Sequence, residues 1–120
     1  MLMRTLFAVL FALVATLGFA QNNEAALKKL KALEKNYLSA KAALAKKPKD
    51  KKVRDQFVTA GVKYGHESMT SPALDARVKY KQALKVYREV LKIDPKNPVA
   101  KPESELIVSI YKQMGRPIPE

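Results

Sequence analysis

Apolar residues recur every three or four positions along most of this chain, and nowhere do they alternate with polar ones as a half-buried strand requires. Leu27, Leu30, Leu33, Tyr37, Ala40 and Leu44 form one such stripe and predict a helix over about residues 24–47. Its opposite face collects Lys28, Lys29, Lys31, Lys35, Lys46 and Lys47. Asn22 or Asn23 suits its N-cap, and Pro48 ends it because the residue before a proline avoids helical geometry. A second stripe, Val53, Phe57, Ala60, Gly61 and Tyr64, predicts a helix over about 51–65 or slightly beyond, which the run GHESMTSP interrupts. Ser71 followed by Pro72 then reads as a cap and first turn, opening a third helix. Its apolar positions are Leu74, Val78, Ala83, Leu84, Tyr87, Val90 and Leu91, and KIDPKNP stops it. Pro102 lies in the first turn of a fourth helix, whose apolar face is Leu106, Ile107, Ile110, Tyr111 and Met114 and whose end is marked by Gly115 and Pro117. The fold class expected is all-α, a short antiparallel array of about four helices.

The first 20 residues follow a different logic. Arg4 precedes an apolar run from Leu6 to Leu17, and Gly18 and Ala20 place small residues where a signal peptidase reads them. This is the layout of a cleavable leader over residues 1–20, shorter than the roughly 20 apolar residues of a membrane span. No cysteine follows to accept a lipid. The expectation is export to a secreted or periplasmic location, with residues 21–120 as one helical domain.

Charge changes the picture next. There are 23 basic residues against 11 acidic, a formal charge of +12, and the leader holds only Arg4 of them. Residues 23–52 alone carry ten lysines against Glu24, Glu34 and Asp50. Such a balance attracts anionic partners over long range without choosing among them. Lysine outnumbers arginine and tryptophan is absent, which disfavours a dedicated nucleic-acid site built on arginine forks and stacking aromatics. Lys28, Lys31, Lys35, Lys46 and Lys47 are the candidate contacts for an anionic envelope surface, a phospholipid membrane or an acidic cell-wall polymer; the plainer reading of them is a solvated face. With no cysteine, packing alone must hold the domain.

Within residues 51–114, the spacing of Ala83, Tyr87 and Pro95 in QALKVYREVLKIDPKNP resembles the second helix of a tetratricopeptide repeat. Phe57, Ala60, Gly61 and Tyr64 echo the first-helix signature of that family, and Ile107, Val108 and Tyr111 echo it again. Tyr64 and Ala83 are 19 positions apart where the family has about nine, so the hairpin carries an insertion. Two registers are open, since Pro48 also fits as the closing proline of an earlier repeat. The resemblance covers about one and a half repeats. It implies stacked helical hairpins, packed through Phe57, Ala60, Gly61, Tyr64, Ala83, Tyr87 and Pro95, and a groove that binds peptides or protein segments.

Material for catalysis is thin. The single histidine, His66, stands beside Glu67 and Ser68, but sequence neighbours on a helix point apart. Glycines form no phosphate loop and carboxylates no metal-ligand spacing, so no catalytic, cofactor or metal residue is named. The five tyrosines read first as packing residues. The function expected is non-enzymatic binding of a protein or peptide, for which an acidic partner suits the charge. Because the fourth helix has no partner in the repeat, Ile107 and Tyr111 are expected to form an exposed apolar strip for that partner or for self-association. Intact mass of the exported protein should correspond to a chain beginning at Gln21; recovery from membranes with Met1 retained would show an anchor instead.

Overall fold

A computed structural model describes the backbone of residues 2–120 and the side chains of residues 23–120. Four helices follow in order, α1 (Leu2–Lys46), α2 (Lys51–Thr70), α3 (Ala76–Ile93) and α4 (Ala100–Gln113), and no strand occurs among the described residues. The all-α, four-helix expectation holds. The side chains of the expected leader and of its cleavage point lie outside the described residues. Asn22 and Asn23 do not cap a helix, because α1 runs through both and no proline stands between Leu2 and Lys46 to break it.

Each turn is closed by a side chain suited to it. Asp50 caps α2, its Oδ1 accepting from the Val53 N–H at 3.1 Å. The helix then continues past Gly65, so the interruption expected at GHESMT does not occur. Ser68 and Thr70 return their hydroxyls to the carbonyls of Tyr64 and His66, at 2.7 and 2.9 Å, which satisfies them inside the helix. Ser71 is therefore the C-cap of α2 and not the start of α3; its N–H donates to the Glu67 carbonyl at 2.8 Å. The start of α3 falls to Asp75, whose carboxylate accepts from the Arg77 N–H at 2.8 Å. Between α3 and α4, the buried Asn97 accepts from the Val99 and Ala100 N–H groups and donates to Asp94. Pro95, expected among the packing residues, is exposed on this turn, where it serves to stop the helix.

Contacts between helices fix their directions. Lys29 meets Glu67, Glu34 meets Tyr64, and Tyr37 lies against Gly61, so numbers rise on α1 as they fall on α2. Likewise Gln82 meets Ser68, Tyr87 lies against Gly65 and Val90 against Gly61. Both pairs are antiparallel, and α4 packs on α3. Two apolar clusters result. Leu30, Tyr37, Phe57, Tyr64 and Val86 join α1, α2 and α3. Ala83, Leu84, Tyr87, Val90, Ala100, Ile107 and Tyr111 join α3 to α4, with Val58, Val62 and Met69 of α2 packed against them.

The two α2 glycines are where this packing is tightest. A Cβ at Gly61 would stand 2.4 Å from Val90 Cγ2, and one at Gly65 would stand 2.5 Å from Tyr87 Cε1. Tyr87 and Val90 have no exposed surface, so neither has room to withdraw. Replacing Gly65 by alanine gains about 1 kcal/mol of helix propensity, whereas overpacking a filled core costs about 1–3 kcal/mol. Gly65→Ala should therefore lower the denaturant midpoint. Ala83→Leu, at a fully buried alanine of the same core, should lower it by the equivalent of about 1–3 kcal/mol. Equal or higher midpoints in both variants would show that the helices are not in this close contact.

Candidate functional site

The side chains that the sequence offered as contacts separate in the structure. Lys28, Lys31, Lys35, Lys46 and Lys47 are all exposed. Ile107 and Tyr111 are not the exposed strip expected of them: they are 0% and 9% exposed and belong to the core between α3 and α4. That expectation is corrected by the packing of α4 on α3, which buries both side chains against Ala83, Leu84, Tyr87 and Val90. The large apolar residues that α4 leaves exposed are Leu106 and Met114. Phe57, Gly61, Tyr64, Ala83 and Tyr87 are buried and Ala60 half-buried, as packing residues should be.

A concave surface forms elsewhere. Where α1 and α3 lie on the same side of α2, they enclose a groove of about 630 Å³. Glu34, Tyr37, Leu38 and Lys41 line it from α1, Tyr64 from α2, and Arg77, Val78, Lys81, Gln82, Lys85 and Val86 from α3. Its floor is aromatic. The rings of Tyr37 and Tyr64 stack with centroids 5.5 Å apart, and Phe57 lies 5.6 Å from Tyr37 on the buried side. Its walls present Leu38 and Val78, which are 52% and 49% exposed. Four cations and one carboxylate rim it, and none of the four is in an ion pair among the described residues. The carboxylate, Glu34, is engaged as acceptor of the Tyr64 hydroxyl at 2.8 Å.

The basic rim on α3 follows from spacing: Arg77, Lys81 and Lys85 are four residues apart and share one face. Beside them Val78, Gln82 and Val86 form the next row. In the sequence the denser lysines of α1 overshadow that pattern. Only the fold shows that it faces Lys41 across the groove. A second cleft of similar volume runs between α1 and α2, but it has no aromatic lining residue, and its Lys51 is paired with Asp55 at 3.5 Å.

No histidine lines the groove. His66 lies away from it, its Nδ1 2.8 Å from Glu103 Oε1 on α4, and the same carboxylate accepts the Tyr87 hydroxyl. No group of three His, Cys, Asp or Glu side chains gathers among the described residues, and within residues 23–120 no helix is long and apolar enough to cross a membrane. Comparison with protein-family models, curated proteins and solved structures returned no match.

The tyrosines of the floor are held neutral. Burial, followed by the charge of Glu89, pushes the Tyr37 phenol up to about 12 from its usual 10. Burial, and then the hydrogen bond to Glu34, raises Tyr64 further; burial and the bond to Glu103 do the same for Tyr87. Phenols raised in this way stabilise the fold fully below pH 10, where both states keep the proton. That contribution is lost as pH climbs from 10 through the folded value, because the unfolded chain ionises first. The denaturant midpoint should thus decline above pH 10, and Tyr37→Phe should decline less steeply than the parent. Lysine deprotonation is common to both proteins and cancels in that difference. Parallel curves would show that Tyr37 is not buried at the groove floor.

Proposed function

We propose that this chain is an exported, non-enzymatic helical scaffold that holds a segment of another protein in the groove between α1 and α3. The observation that carries this reading is the concave, aromatic-floored surface on which Leu38 and Val78 remain half exposed beside the stacked rings of Tyr37 and Tyr64. Apolar side chains at the bottom of a cleft, with polar groups at its edge, are what a binding site for a side chain or peptide presents. The succession of antiparallel helices supports the tetratricopeptide-like reading. In the register where Pro48 closes an earlier repeat, α1 and α3 are both second helices, matched by Pro48 and Pro95 at their ends. The groove then lies between second helices, where the family resemblance would place it between first ones.

The other reading, a lysine-rich binder of anionic envelope surfaces, rests on the exposed Lys28, Lys31, Lys35, Lys46 and Lys47 of α1. The two differ in what disrupts them. Contact through exposed lysines fades as salt rises, whereas a contact seated on apolar side chains persists. Capture from the envelope fraction, with the parent protein and a Leu38→Asp, Val78→Asp variant compared at low and high salt, tests the proposal. The parent should retain its partner at high salt and the variant should lose it at both, with an unchanged thermal midpoint because neither position is buried. Equal capture by both proteins, abolished by salt, would favour the lysine face.

A further inference from the structure

We infer that the groove between α1 and α3 selects an acidic protein segment, one whose carboxylates meet Arg77, Lys81, Lys85 and Lys41 while its apolar side chains cover Leu38 and Val78. The inference rests on the scaffold reading above and specifies its partner. Arg77, Lys81 and Lys85 form a line about 12 Å long at the 1.5 Å rise of a helix, and Lys41 stands on the facing wall. The only acid in the lining, Glu34, already accepts the Tyr64 hydroxyl, and the acids of the ion pairs elsewhere, Glu67, Asp55, Glu103 and Glu89, are not part of the groove. Four cations against the single charge of Glu34 leave the lining with a net positive charge, and none of the four is in an ion pair among the described residues. A basic segment would meet four like charges, and a neutral one would leave them desolvated and unpaired beside it, which costs free energy.

Concavity argues for a protein segment over a membrane. A lipid surface is met by a flat or convex face, whereas here Leu38 with Lys41 and Val78 with Arg77, Lys81 and Lys85 stand on the facing walls of a cleft. The lysines outside the groove are spread over all four helices, which suits long-range attraction.

The test measures affinity of the protein, as recovered from the exporting cell, for three synthetic peptides with leucines spaced one helical turn apart and the other positions filled by Glu, Lys or Ser. The Glu peptide should bind, and the Lys and Ser peptides should bind at least about tenfold more weakly. The exposed substitutions Lys81→Glu and Lys85→Glu together should weaken the Glu peptide about tenfold and create binding of the Lys peptide, a gain that misfolding does not produce. Equal binding of the Ser and Glu peptides, unmoved by the double substitution, would overturn the acidic partner and leave the scaffold reading standing. No peptide binding, with sedimentation on vesicles of phosphatidylglycerol and phosphatidylcholine, would overturn it in favour of a membrane. If no peptide binds and envelope capture ignores the Leu38→Asp, Val78→Asp variant, the scaffold reading itself fails.

Discussion

The contact of Tyr87 and Val90 with the two glycines of α2 sets the position of every other helix. Gly61 and Gly65 are one turn apart, so their missing side chains open a channel along α2 into which α3 sinks. Ring and methyl then lie almost on the backbone of α2, closer than any pair of helices with ordinary side chains at the contact could come. Because α3 is drawn in this far, its remaining faces reach both neighbours: Val86 joins the cluster shared with α1, and Ala83, Leu84 and Val90 join the one shared with α4. A chain with no disulfide holds four helices together by making one of them serve two cores.

Polar groups follow the same arrangement. Two tyrosines carry their rings into an apolar cluster and their hydroxyls to a carboxylate on the next helix outward, Tyr64 to Glu34 of α1 and Tyr87 to Glu103 of α4. Gln82 crosses to Ser68 between them, at 2.9 Å. No buried side-chain nitrogen or oxygen among the described residues is left without a partner. These bonds add directionality to packing that would otherwise tolerate sliding along the helix axes, since a carboxylate one turn away would leave its phenol unpaired in the core.

The periodicity of the sequence carried most of this. Leu30, Tyr37, Phe57, Tyr64, Ala83, Leu84, Tyr87 and Val90 are core residues because three- and four-residue spacing puts them on one stripe and nothing competes. What periodicity could not carry was the use of residues with two legitimate roles. Gly65 serves as a breaker or as a site of close approach, and Tyr87, 22 positions later, decides which. Ser71 and Asp75 are both good caps, and the choice between them depends on how far α2 extends. Ile107 and Tyr111 were placed correctly on the apolar face of α4, but whether that face is covered depends on where α3 lies, which no local pattern states. The groove failed to appear for the same reason: Lys41 and Lys85 are distant in sequence and become neighbours only through the shared support of α2.

That dependence explains why so basic a chain has one basic place unlike the rest. An exposed lysine is screened by water and salt and is worth little to any particular partner, about 1 kcal/mol at 4 Å in bulk water. At the edge of a cleft floored by Tyr37, Tyr64 and Val86 the surrounding dielectric is lower, and the same charge at the same distance acts about four times as strongly at an effective dielectric of 20. The fold does not concentrate more cations there than on α1, where Lys28, Lys29, Lys31 and Lys35 are at least as dense. It places a few of them against apolar surface that water leaves when a ligand arrives, so their attraction strengthens as the cleft fills. Charge density alone would have pointed to the face of α1, and only the combination of charge with recessed apolar surface separates a surface that attracts from one that recognises.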